Sequence, residues 1–156
     1  MTRGVQTVEN VGSDARKIVE FVKTTFSPRR LVLYGRSIGS ISVIECQSLH
    51  VDGIIIESGF STSGLRLRVE KKLGKPYAGS LLDLTSTLSS FKKGPVMIMH
   101  AIDDEVVTFK ENFSELAANR DPSNTMLLPL DVGKHNIRTW NRVRVFEELE
   151  KFLKKT

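Results

Sequence analysis

Apolar and polar positions along the chain change period several times, and each change marks an element. Between Ser13 and Phe26 the apolar residues Ile18, Val19, Val22 and Phe26 recur at helical spacing, so Ser13 or Asp14 is expected to cap a helix that Pro28 stops. Leu31 to Tyr34 is a short unbroken apolar run and reads as a strand. A helix is predicted over Ile38 to Leu49, with Ile41, Ile44, Cys46 and Leu49 turned partly inward. Val51-Asp52-Gly53 then turns the chain into a strand at Ile54 to Glu57. From Gly59 to Lys93 strand signals fade and Ser, Gly and Lys become frequent; helices are expected at Gly64 to Leu73 and Leu81 to Leu88. Strands at Val96 to Met99 and Met126 to Leu130, a helix at Phe109 to Asn119 and a last helix from Trp140 to Lys154 complete the pattern. Alternating strands and helices predict an α/β fold, a mostly parallel sheet of about four strands flanked by helices.

Composition narrows this picture. A length of 156 residues with 40% hydrophobic content suits a single domain, 1–156, with a modest core. The single Cys46 cannot form an internal disulfide, and no paired C-x-x-C or other ligand cluster is present. A reducing, cytoplasmic setting and the absence of metal or other cofactors are therefore expected. No apolar run approaches the roughly 20 residues of a membrane span, and the opening MTRGVQTVEN lacks the apolar core of a signal peptide. The net charge of +5 is spread over small clusters: Arg66 and Arg68; Lys71, Lys72 and Lys75; Lys92 and Lys93; Arg142 and Arg144; Lys151, Lys154 and Lys155. On the last helix these alternate with Val143, Phe146, Leu149, Phe152 and Leu153, so solvated outer faces account for them first. Weak attraction to an anionic membrane surface, with a peripheral location there, is the other reading. No recognition motif or aromatic interleaving supports a nucleic-acid partner.

The candidate chemistry centres on Gly35-Arg36-Ser37-Ile38-Gly39, a G-x-S-x-G pentapeptide between a predicted strand and a predicted helix. In a nucleophile elbow the glycines Gly35 and Gly39 would make room for a strained turn that lifts Ser37 toward substrate. The alternative is an ordinary tight turn. Acidic residues follow the strand at Val96 to Met99 in His100-Ala101-Ile102-Asp103-Asp104-Glu105, and His135 follows the strand at Met126 to Leu130. The order Ser, acid, His matches a hydrolytic triad of Ser37, Asp104 and His135; capping of the next helix by Asp104, as by Asp103 or Glu105, is the lesser alternative. Glu57 is the other plausible acid, and His50 and His100 are the rival histidines. Cys46 reads as a small buried hydrophobe. Phe60 and Trp140 are candidates for an acyl pocket, with core packing as the alternative.

Four blocks, LVLYGRSIGS, GIIIESGFSTSGLR, GPVMIMHAIDDEVVTF and DVGKHN, carry a resemblance. The chain resembles the carboxyl-terminal part of α/β-hydrolase-domain serine hydrolases, a group that includes protein depalmitoylases. The third block is similar to the H-G-x-x-D-x-x-V pattern of that group, which selects Asp104 as the acid; Ala101 stands where the pattern has glycine. The resemblance implies an acyl transfer to water, with the backbone N–H of Ile38 as one oxyanion donor. It also implies an amino-terminally shortened hydrolase: only a remnant loop, Thr2-Arg3-Gly4-Val5, and one helix precede Leu31, and no lipidated Cys-rich segment is found. The resemblance further implies that residues 60–93 form a variable helical cap insertion. The function this implies is that of a serine esterase or acyl-protein thioesterase acting on an acylated small molecule or protein. The alternatives are a catalytically impaired fragment that binds or self-associates, and a peptidase-like hydrolase. Missing strands would leave the edge at Leu31 to Tyr34 free to pair in a homodimer.

Overall fold

The computed structural model describes residues 8–118 and 120–156. The segment Thr2-Arg3-Gly4-Val5 lies outside them. Four parallel strands, β1 (Val32–Arg36), β2 (Gly53–Glu57), β3 (Val96–Ala101) and β4 (Thr125–Leu130), pair in chain order β1-β2-β3-β4. Register runs from Gly35 to Ile56 to Ile98 to Leu127 across the sheet. Burial follows position in the sheet: every residue of β2 and β3 is buried, whereas β1 exposes Tyr34 and β4 exposes Leu127. Pro129, which has no N–H to give a ladder, falls on the edge strand β4.

Right-handed crossovers between strands laid down in one direction keep their helices on one face. On that face lie α1 (Val8–Phe26), α2 (Gly39–Glu45), α4 (Leu84–Ser89) and α5 (Phe109–Ala118), enclosing Ile41, Ile44, Leu84, Leu88, Phe113 and Leu116 against Ile54, Ile56, Val96 and Ile98. The opposite face is covered by α6 (Ile137–Trp140) and α7 (Arg142–Lys155), which seat Ile137, Val145 and Phe152 on Ile55, Met97 and Met99. The helix α3 (Thr62–Leu73) packs on α5, where Gly64 allows the close approach: a Cβ there would stand 1.8 Å from Asn112 Oδ1.

Several boundaries differ from the sequence expectation. The first helix already includes Val8, so Ser13 and Asp14 are exposed interior positions and not caps, and Ile18 and Phe26 face outward while Val19 packs inward. The inward stripe uses Gly12, Ala15 and Val19, small or β-branched residues that let α1 lie close to α2. The helix after β1 stops at Glu45 and not Leu49, because the backbone turns there to bring Asp52 back under β1, where its carboxylate accepts the Leu31 N–H. Asp83 caps α4, accepting from Ser86 N–H, so that helix starts at Leu84 and not Leu81. On α7 the buried stripe runs through Val145 and Phe152 with Leu149 packed beside them; Val143 and Phe146 are exposed.

Candidate active site

Parallel strands all end on one rim, so the segments following β1, β3 and β4 meet there. Ser37 follows β1 directly and adopts φ 53°, a left-handed conformation that costs about 1–3 kcal/mol in a non-glycine residue. The turn is held by the Ser37 N–H bonded to the Glu57 carbonyl at 2.9 Å and by Ser40, whose N–H and hydroxyl both donate to the Ser37 carbonyl. Gly35 is required by contact: a Cβ there would lie 2.5 Å from the Gly39 carbonyl oxygen and 2.7 Å from Val43. The expectation for Gly39 needs correcting, since a Cβ at that position meets nothing within 4 Å. The crowding is one-sided because α2 leans on the strand through Val43 and leaves its own amino end open.

Ser37 Oγ lies 3.0 Å from His135 Nε2, and His135 Nδ1 lies 3.0 Å from Asp104 Oδ2. Asp104 is 4% exposed, and its other oxygen accepts the N–H groups of Val106 and Val107, each at 2.9 Å. Burial by itself would raise its pKa. Hydrogen bonds from His100, His135 and the Val107 and Val106 N–H groups outweigh that and hold the carboxyl well below the usual carboxylate range. A carboxylate at Nδ1 favours the tautomer of His135 with the proton on Nδ1, which leaves Nε2 as the hydrogen-bond acceptor facing Ser37 Oγ. The neighbouring acid, Asp103, has a different task, accepting the Lys134 N–H and tying the His135 loop to the acid loop at 2.8 Å.

The rival residues lie elsewhere or do other work. His100 is fully buried, edge-on to Phe109 and Phe113, with Nε2 2.7 Å from the Val107 carbonyl and 3.5 Å from Asp104. It supports the acid loop from below. His50 is exposed at the turn after α2, and Cys46 is buried, its thiol pKa pushed up by that burial. The Ile38 N–H stands at the amino end of α2, where N–H groups have no acceptor within the helix. Phe60 is buried and lines a cleft of about 190 Å³ together with Leu67, Val106 and Val107, with Arg68 and Lys71 among its charged members. The Phe60 N–H donates to Ser40 Oγ, which links that cleft to the elbow. Trp140 is 69% exposed on α6 and is absent from the cleft lining.

Sequence reasoning weighed Glu57 only as an alternative acid. The structure gives it a different position: fully buried at the end of β2, paired with Arg36 Nε at 3.1 Å and Arg138 Nε at 3.3 Å, and hydrogen-bonded by the Tyr34 hydroxyl. Burial and that hydrogen bond push the Tyr34 phenol well above its ordinary pKa. The sequence signal was available in an acid ending the wholly apolar run GIII, which demands a cationic partner.

Among the described residues no cluster of three or more His, Cys, Asp or Glu is arranged to hold a metal ion, and no helix is long and apolar enough to cross a membrane.

No protein-family model matches the chain. It is 24% identical to the uncharacterized protein YfhR of Salmonella typhi, over 82% of this chain and 49% of that protein. It is also 24% identical to mouse alpha/beta hydrolase domain-containing protein 17C, over 73% of this chain and 36% of that protein. The chain thus spans about half or less of the length of the curated relatives it matches. Among solved structures, a lipase-esterase related protein of Clostridium acetobutylicum superposes with a TM-score of 0.74 at 16% identity, covering 97% of this chain and 78% of that one. An esterase of Pyrococcus furiosus gives 0.71 at 18% identity, covering 97% and 65%. The chain has the α/β-hydrolase fold and is related to that superfamily.

Proposed function

We propose that the chain is a serine hydrolase of carboxylic esters or thioesters, with Ser37 as nucleophile, His135 as general base and Asp104 as the group that orients it. The observation that carries this reading is the continuous chain of contacts from Ser37 Oγ through His135 to Asp104, 3.0 Å at each step, with Ser37 held at φ 53°. In the first step Ser37 Oγ bonds to the acyl carbon while His135 Nε2 takes its proton. The tetrahedral oxyanion receives the Ile38 N–H, and His135 then gives the proton to the departing alkoxide or thiolate, leaving an acyl-serine. Water, deprotonated by the same imidazole, attacks that acyl group and releases the acid and Ser37. The cleft beside Phe60, Leu67 and Val106 would take the acyl chain, with residues 60–93 forming its wall as a helical cap.

A fluorophosphonate probe tests the reading: it should label Ser37 in the native chain and spare Ser37→Ala. A folded sample that stays unlabelled refutes it. Release of nitrophenol from an ester, set beside release of thiol from the matching thioester, then assigns the leaving group. Self-association is a second reading, supported by β1 pairing with β2 alone among the described residues and exposing Tyr34. A monomer in sedimentation at micromolar concentration would exclude it.

A further inference from the structure

We infer that Glu57 is a positioning residue that, acting through Arg36, fixes the main chain of His135 over Ser37; the inference rests on the serine-hydrolase reading. Glu57 has no exposed surface, and a buried carboxylate is costly unless cations and hydrogen bonds surround it. The cations it draws in are not placed at random. Arg36 is the residue immediately before Ser37, and Arg138 lies on α6 in the first turn after the His135 loop. Arg36 does not end at the carboxylate: its Nη2 donates to the His135 carbonyl at 2.7 Å. The main chain of Glu57 completes the link from the other side, its carbonyl accepting the Ser37 N–H at 2.9 Å. One residue of β2 therefore grips the nucleophile directly and the base through a single guanidinium.

An ion pair serving stability alone would have no need to end on the His135 carbonyl. The geometry also explains why the residue is arginine. A planar fork can meet Glu57 with Nε and the carbonyl with Nη2 together, whereas a lysine carries all its N–H donors on one nitrogen and has no second nitrogen to place at the other position. The Nε contact with Glu57 is a charge contact and not an aligned hydrogen bond, so the directional bond in the relay is the one to His135. Arg138, half exposed, pairs with Glu57 and lies over the Tyr34 ring without reaching the His135 carbonyl, and is the auxiliary member.

The test uses Arg36→Lys and Glu57→Gln, with Arg138→Ala as the comparison. Arg36 is partly exposed, so its lysine variant folds even where Glu57→Gln fails to. Turnover of a nitrophenyl ester and the fluorophosphonate labelling rate should both fall about 10²-fold in Arg36→Lys, with little change in KM, since a misplacement near 1 Å costs about that much. Arg138→Ala should lose less. Order of the His135 ring, read from Cε1–H relaxation, should drop in Arg36→Lys and stay unchanged in Ser37→Ala. Wild-type turnover and ring order in Arg36→Lys, accompanied only by a lower melting temperature, would reduce Glu57 to a stabilising ion pair and overturn the inference. If the unmodified chain resists the fluorophosphonate, the hydrolase reading falls separately. Ring order in the variants then decides for or against the Glu57 relay by itself.

Discussion

The two glycines of the elbow provide the sharpest test of the local structure, because the pentapeptide treats them alike and the fold does not. An alanine methyl at position 35 would stand 2.5 Å from the Gly39 carbonyl oxygen and 2.7 Å from Val43 Cγ2. The first neighbour is backbone and cannot rotate away. Overpacking of this kind costs about 1–3 kcal/mol, and a fixed backbone atom points to the upper end. At position 39 the methyl meets nothing within 4 Å, and the site opens a helix, where replacing glycine with alanine gains roughly 0.5–1 kcal/mol. The two variants should therefore differ in sign: Gly35→Ala melts lower than the parent chain and Gly39→Ala melts at the same temperature or slightly higher. At roughly 2–4 °C per kcal/mol for a chain of this size, their midpoints should lie about 6–15 °C apart by calorimetry or circular dichroism. Fluorophosphonate labelling should be lost in the first and retained in the second. Equal destabilisation by both alanines would refute the claim that a one-sided contact with α2 shapes the turn.

Asp104→Asn should lower turnover by roughly 10³- to 10⁴-fold, the scale seen when a serine protease triad loses its carboxylate, with KM little changed in steady-state assays. Because the folded pKa of Asp104 is depressed, its contribution to stability is present above the unfolded carboxyl value of about 3.9 and is lost as pH falls through the folded value. Urea unfolding of Asp104→Asn should accordingly show a shallower acid limb than the parent; parallel limbs would contradict the assignment. Phe152→Ala removes a fully buried ring from α7, a principal cover of the second sheet face, and should cost about 3–5 kcal/mol in denaturant unfolding.

How far the sequence revealed this molecule depended on how local each cause was. The strands were legible because GIII and VMIM are continuous apolar runs, and the structure buries both completely. Ser37, Asp104 and His135 could be singled out because each follows a strand, and parallel strands bring their following loops to a common rim. The start of α1 was not legible: the polar pair Ser13 and Asp14 looks like a cap, yet packing on α2 through Gly12 and Ala15 carries the helix past it. On α7 the apolar pattern of Val143, Phe146, Leu149, Phe152 and Leu153 included Phe152 and Leu149, which do pack on the sheet, but missed Val145 and took in the exposed Val143, Phe146 and Leu153, because the buried stripe depends on how the helix is rotated. The partners of Glu57 were hidden for a related reason. They are separated by tens of residues along the chain and become neighbours only across β1, β2 and α6.

The serine and histidine of the proposed triad follow the two outermost strands among the described residues. Ser37 departs from β1 and His135 from the loop beyond β4, and at about 4.8 Å per interval those strands stand roughly 14 Å apart. A contact of 3.0 Å between them exists only while the whole width of the sheet keeps its twist and spacing. Splaying of either margin by mild urea or pressure would separate hydroxyl from imidazole well before the helices melt. The hydrolysis proposed for this chain would thus double as a gauge of lateral cohesion, and it should be the earliest casualty of partial unfolding, ahead of any loss of ellipticity.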